Sequence, residues 1–169
     1  MDYETAKRQL WECNRSERLE RFVKMLSPEW TDVQLGELTR DVWTDAERPS
    51  QECELWETLW GSPRCAAMTN EERGTLMAMP DHLTIHRGVS DCFGRGRRRH
   101  CRGLSWTLDR DKALWFASRY TFVPAVGWLA TVTIPKTAVR AYLTDRGESE
   151  IIVLPRELPR VRIETVTGR

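Results

Sequence analysis

Leu83-Thr84-Ile85-His86-Arg87-Gly88 decides the fold, because the chain changes its period there. Leu83, Ile85 and Arg87 recur at every second residue and share one strand face, with Thr84 and His86 on the other. Upstream the apolar spacing is helical and downstream it alternates. A strand whose inward face ends in arginine is unusual, since a buried charge needs a partner. Taken alone, Arg87 reads first as a structural salt bridge at a strand end and second as a site residue.

Upstream of Leu83, the residues Leu19, Phe22, Val23 and Leu26 follow one helix face. Ser27-Pro28-Glu29 ends that helix and offers a serine cap, a first-turn proline and an early acid to the next. Ser50 can cap a further helix with an apolar edge of Leu55, Trp56, Leu59 and Trp60, which Gly61 would stop in a left-handed conformation. Thr69 and Glu72 have capping-box spacing before Leu76 and Met77, and Pro80 closes the helical part. The aromatic residues of this part read as core packing.

Downstream, Ser105 and Thr107 share a strand face opposite Leu104 and Trp106. Asp109 can cap a short helix whose inner face is Ala113, Phe116, Ala117 and Tyr120. Trp128, Ala130, Val132 and Ile134 alternate, as do Val139, Ala141 and Leu143. Ile151 to Leu154 and Val161 to Ile163 supply two more strands. No internal repeat or low-complexity stretch interrupts the pattern. The expected class is α+β, with a helical region over 1–80 and a mostly β core over 81–169.

The 169 residues suffice for a sizeable core, to which eight tryptophans contribute large aromatic surfaces. A formal net charge of +1 gives no global attraction to nucleic acid or membranes. No apolar run has the length of a membrane span, and Met1 to Leu10 has no secretory apolar stretch. The five cysteines, Cys13, Cys53, Cys65, Cys92 and Cys101, are odd in number and scattered. That spacing argues for a reducing, cytoplasmic setting rather than a disulfide framework. Cys92, His100 and Cys101 lack the paired spacing of a zinc site, so no metal is expected.

Three motifs in the second half carry chemistry. In His86-Arg87-Gly88, the guanidinium offers a fork of donors suited to phosphate oxygens, and Gly88 lets a ligand or another backbone come close. Ser105-Trp106-Thr107 puts two hydroxyls on one face, where they can orient a ribose or hold a carboxylate. Glu148-Ser149-Glu150 puts two carboxylates on one face, a repulsive arrangement that a purely structural strand tends to avoid. A glutamate beside a ribose can stabilise an oxocarbenium-like transition state. Taken singly, each motif also reads as ordinary structure: a salt bridge at a strand end, a polar outer face and a solvated turn.

Taken in this order over Leu83 to Leu154, the three motifs resemble the Arg-Ser-Glu class of ADP-ribosyltransferases, of the small bacterial and phage type. The resemblance implies a compact split β-sandwich, NAD as the substrate, and a toxin or phage effector among the biological roles. It makes Arg87 the NAD-binding arginine, with Gly88 and Thr107 beside it, and Ser105 the serine of the nicotinamide pocket. Glu150 becomes the catalytic glutamate and Glu148 the upstream glutamate that handles the acceptor. The segment Thr121 to Gly127 becomes a loop over nicotinamide, with Phe122 stacking on it. The Glu-x-Glu form is similar to the arginine-modifying branch. Trp106 stands where a small hydroxyl residue is more usual, and the span from Arg87 to Ser105 is short. The implied partner is a macromolecular acceptor, a protein before a nucleic acid. Water as acceptor would give an NAD glycohydrolase. A non-catalytic nucleic-acid- or protein-binding inhibitor on the same fold is the reading from another class.

The run Arg95-Gly96-Arg97-Arg98-Arg99-His100-Cys101-Arg102 lies between Arg87 and Ser105. It reads either as a solvated loop or as a handle for an anionic partner.

Overall fold

The computed structural model describes residues 1–46, 53–90, 98–119 and 126–167. The chain divides into two compact units, Met1–Thr69 and Asn70–Arg169. The class is α+β: helices come first and an antiparallel sheet follows. No helix among the described residues is long and apolar enough to cross a membrane.

The first unit holds α1 (Tyr3–Glu12), α2 (Arg18–Met25), α3 (Asp32–Asp45) and α4 (Cys53–Gly61). Its core is aromatic. Trp30 stacks on Phe22, and the edges of Trp56 and Trp60 meet Trp43 at centroid distances of 4.8 and 5.8 Å. All five rings are buried, in line with a packing role. The start of α3 differs from the sequence expectation. Its cap is Thr31, which forms a reciprocal capping box with Gln34, and Ser27-Pro28-Glu29 stays outside the helix. Two satisfied backbone donors outweigh the proline signal. Gly61 is the last residue of α4 but does not take the expected left-handed conformation. Among the described glycines only Gly147 does, at φ 66°. The expected Ser50 cap lies outside the described residues.

The second unit opens with α5 (Asn70–Ala78), which groups with the sheet. The strands are β1 (His82–Ser90), β2 (Ser105–Thr107), β3 (Val126–Pro135), β4 (Val139–Leu143), β5 (Glu150–Val153) and β6 (Arg162–Thr167), with α6 (Arg110–Ser118) between β2 and β3. They form one antiparallel sheet in the order β4-β5-β2-β1-β3-β6. One face carries Leu83, Ile85, Val89, Trp106, Ala130, Val132, Ile134, Ile151 and Val153, all buried. Alternation in β1 and β3 predicts this face, because neighbours two apart point the same way.

The seams of this sheet are unequal. β1 pairs with β3 along its whole length, from His82↔Pro135 to Ser90↔Gly127. β1 pairs with β2 at His86↔Thr107 alone. The two small sheets expected from the sequence are thus halves of one sheet, β4-β5-β2 and β1-β3-β6, joined at that point. The helix α6 lies on the β1–β3 half. A Cβ at Gly88 would fall 1.8 Å from the Ala113 carbonyl oxygen, and one at Gly127 would fall 2.4 Å from that of Ala117. Only glycine lets the helix backbone come so close.

Candidate active site

The site is built where the β1–β2 ladder stops. Arg87 follows the one paired residue of β1. Its Nε donates to the His100 carbonyl at 2.9 Å, and its Nη1 donates to the Ser105 carbonyl at 2.6 Å. A side chain, not the β1 backbone, meets the Ser105 carbonyl there. Gly103 is the seat of the guanidinium: a Cβ on that residue would lie 2.6 Å from Arg87 Cζ. Backbone carbonyls and a glycine floor hold the arginine in a half-buried position.

Ser105 faces the other way as well. Its Oγ donates to Glu150 Oε1 at 2.5 Å, a length typical of a hydroxyl bound to a carboxylate. The contact follows from register, since Ser105↔Ile152 and Thr107↔Glu150 put Ser105, Thr107 and Glu150 on one face of β2 and β5. The register His86↔Thr107 adds His86 to that face, which is the α6 side. Arg87, one residue on, starts from the opposite face. Arg87 and Glu150 therefore converge on Ser105 from its two sides, one at the carbonyl and one at the hydroxyl.

Glu148 lies at the same end of the sheet. The Leu108 amide donates to the Ser149 carbonyl at 3.3 Å, which extends the β2–β5 ladder to the residue between the two glutamates. Before it, Gly147 turns the chain and the Glu148 amide donates to the Asp145 carbonyl. The turn hangs from Thr144, whose amide and hydroxyl both donate to the buried carboxylate of Glu72, at 2.8 and 2.9 Å. Facing it, Asp109 caps α6 as expected, accepting from the amides of Asp111 and Lys112. Lys112 then reaches Glu148, with Nζ 3.4 Å from Oε1.

Two expected site residues, Gly88 and Thr107, have other uses in this geometry, as does Trp106 between the two hydroxyl residues. Gly88 meets the backbone of α6, so its missing side chain serves helix packing. The Thr107 hydroxyl accepts from the Asp109 amide at 3.0 Å, a local turn that leads into α6. Trp106 is buried and donates its indole N–H to the Gly103 carbonyl at 2.8 Å, which braces the seat of Arg87. Phe122, with the loop from Thr121 expected to close over nicotinamide, lies outside the described residues.

The basic run is only partly described. Arg95 and Arg97 lie outside the described residues, and Arg98–Arg102 forms a 3-10 turn. At its end, Arg102 donates to the carbonyls of Pro155, Leu158 and Pro159. It pins a neighbouring segment, and Cys101 is buried beside it. Sequence reasoning missed Gly103 and Lys112. Gly103 had a usable signal, a glycine two residues before the candidate serine. Lys112 had none, since only the register of β2 with β5 brings it to Glu148.

His86 is half-buried, with Nδ1 3.0 Å from Thr131 Oγ1. Burial holds its pKa below the usual value, and the positive charge of Arg110 adds to that. Asp109 and Glu164 pull the other way.

No family model, no curated protein and no solved structure matches this chain. The functional argument therefore rests on the residues and their geometry.

Proposed function

We propose that this chain is an NAD-dependent ADP-ribosyltransferase, which moves ADP-ribose to a macromolecular acceptor and releases nicotinamide. The observation that carries the reading is the row Arg87–Ser105–Glu150, in which residues from three strands meet through two hydrogen bonds. Arg87 is bound to the Ser105 backbone carbonyl and Glu150 to the Ser105 hydroxyl, so one residue of each motif lies in a single hydrogen-bonded row. The reading gives each a task. Arg87 holds the diphosphate by charge and donor geometry. Ser105 fixes the carboxylate of Glu150 by the hydroxyl bond. Glu150 accepts from the nicotinamide ribose and offers its negative charge as the glycosidic bond lengthens, so the sugar cation is stabilised where it forms. Glu148, on the same turn, faces the acceptor.

The odd number and scattered spacing of the five cysteines support a cytoplasmic setting for the reaction. Purified chain incubated with NAD should release nicotinamide, and a cell lysate should supply a labelled acceptor. Release without an acceptor adduct would make the protein an NAD glycohydrolase. The absence of both, with NAD intact after prolonged incubation, would remove the proposal.

A further inference from the structure

The upstream glutamate is already occupied by a cation of the protein itself. Lys112 stands in the first turn of α6, where its amide is bound by the Asp109 cap at 3.0 Å. Its Nζ lies 3.4 Å from Glu148 Oε1, and each side chain keeps only about a third of its exposure, 35% for Lys112 and 28% for Glu148. Lys112 therefore reaches Glu148 from a fixed backbone, in a partly shielded position where screening by salt is reduced.

Resting on the transferase reading, we infer that Lys112 determines the acceptor class: it fills the cation position at Glu148 and favours an uncharged nucleophile over a guanidinium. A target arginine has to take the carboxylate from Lys112 and then sit beside its ammonium, so it meets both competition and like-charge repulsion. A neutral hydroxyl meets neither. It donates its proton to Glu148 while Lys112 stays near. In that step the hydroxyl oxygen forms a bond to C1 of the nicotinamide ribose and the C1–N glycosidic bond breaks. The electron pair leaves on the nicotinamide nitrogen, and the hydroxyl proton goes to Glu148. The Glu-x-Glu pattern by itself points to arginine, and the ion pair is what turns the specificity away from it.

The test uses agmatine as the guanidinium probe and the full chain as wild type, Lys112→Met and Lys112→Arg. Agmatine binding is followed by calorimetry or by NMR titration, which needs no turnover. Lys112→Met should bind agmatine about fivefold more tightly than wild type, the scale of one partly exposed ion pair. Lys112→Arg keeps the charge and should behave as wild type. With NAD present, the ratio of agmatine adduct to free ADP-ribose should rise by a similar factor in Lys112→Met. Equal agmatine affinity in wild type and Lys112→Met, including no binding in either, overturns the role of Lys112. Absence of NAD turnover in the wild type instead removes the transferase reading, and the binding comparison still decides whether Lys112 fills the cation position.

Discussion

The two seams of β1 are made by the same strand and held by different means. Toward β3, the ladder runs the length of the strand, and side chains reinforce it through Thr84–Thr133 and His86–Thr131 pairs at 3.0 Å. Toward β2, one residue pair suffices before an arginine takes over. A complete ladder uses the backbone donors and acceptors that face each other across the seam. It leaves little polar capacity for a ligand. Where the ladder stops, backbone carbonyls become available to hold a side chain, and polar groups from several strands can gather. The candidate site lies at the second seam for that reason, while the first serves as its rigid support.

The largest effect should come from the open seam. Glu150→Gln keeps the shape and an acceptor for the Ser105 hydroxyl but removes the negative charge. NAD turnover should fall about a hundredfold or more, as expected for removal of a key electrostatic group. NAD binding should be largely retained. The measurement is nicotinamide release beside equilibrium NAD binding in the two proteins. Near-normal turnover would mean that the Ser105–Glu150 bond is only structural, and the contrast between the seams would lose its functional meaning.

Two glycine substitutions then separate the seams. At Gly88 an added Cβ meets the Ala113 carbonyl at 1.8 Å and the Ala117 amide nitrogen at 2.6 Å, both backbone atoms of α6. The helix has to move, and Gly88→Ala should cost about 1–3 kcal/mol of stability, the usual range for overpacking. At Gly103 the nearest atoms are those of the Arg87 guanidinium, the end of a flexible side chain that can swing aside. Gly103→Ala should leave the thermal midpoint nearly in place and raise KM for NAD by about tenfold, the scale of one hydrogen bond to a charged group. Thermal melts and NAD kinetics on both variants provide the comparison. If Gly103→Ala unfolds the protein and Gly88→Ala only weakens NAD binding, the roles assigned to the seams are reversed.

Much of this architecture is legible in the sequence because its signals are local. The alternation of Leu83 and Ile85 and of Trp128 to Ile134, and the Asp109 cap, each depend on residues within a few positions. Arg87, Ser105 and Glu150 were found by residue type and order. Their meeting depends on the β2–β5 register, which no local pattern encodes. Gly88 shows the limit well. Its small size was legible, but the partner was not: it lies on the face opposite the Arg87 side chain, and α6 covers that face. The Glu148–Lys112 ion pair was also hidden, since the turn at Gly147 and the first turn of α6 come together only in the folded chain. The single pair between β1 and β2 was equally out of reach, because nothing local in β1 marks His86 as the point where that ladder stops.

The smallest expected effect concerns His86, the residue at which the two seams meet. It pairs with Thr131 across the closed seam and lies opposite Thr107 at the one pair of the open seam. Burial disfavours its charged form. The charge of Arg110 acts in the same sense, against weaker opposing pulls from Asp109 and Glu164. Its folded pKa is therefore below the usual 6.5. Between the folded value and 6.5, the unfolded chain binds more protons than the folded one, so stability rises with pH in that window. The contribution is complete above 6.5 and is lost as pH falls through the folded value. His86→Gln cannot take up a proton there, and it should remove this part of the slope while retaining a hydrogen-bonding group near Thr131. Urea midpoints of wild type and variant across pH 5 to 7.5 measure it. Because one imidazole serves both ladders, acid should loosen the closed seam first, where its hydrogen bond is. A slope that survives unchanged in His86→Gln would assign the titration to another group and leave both seams indifferent to the charge on His86.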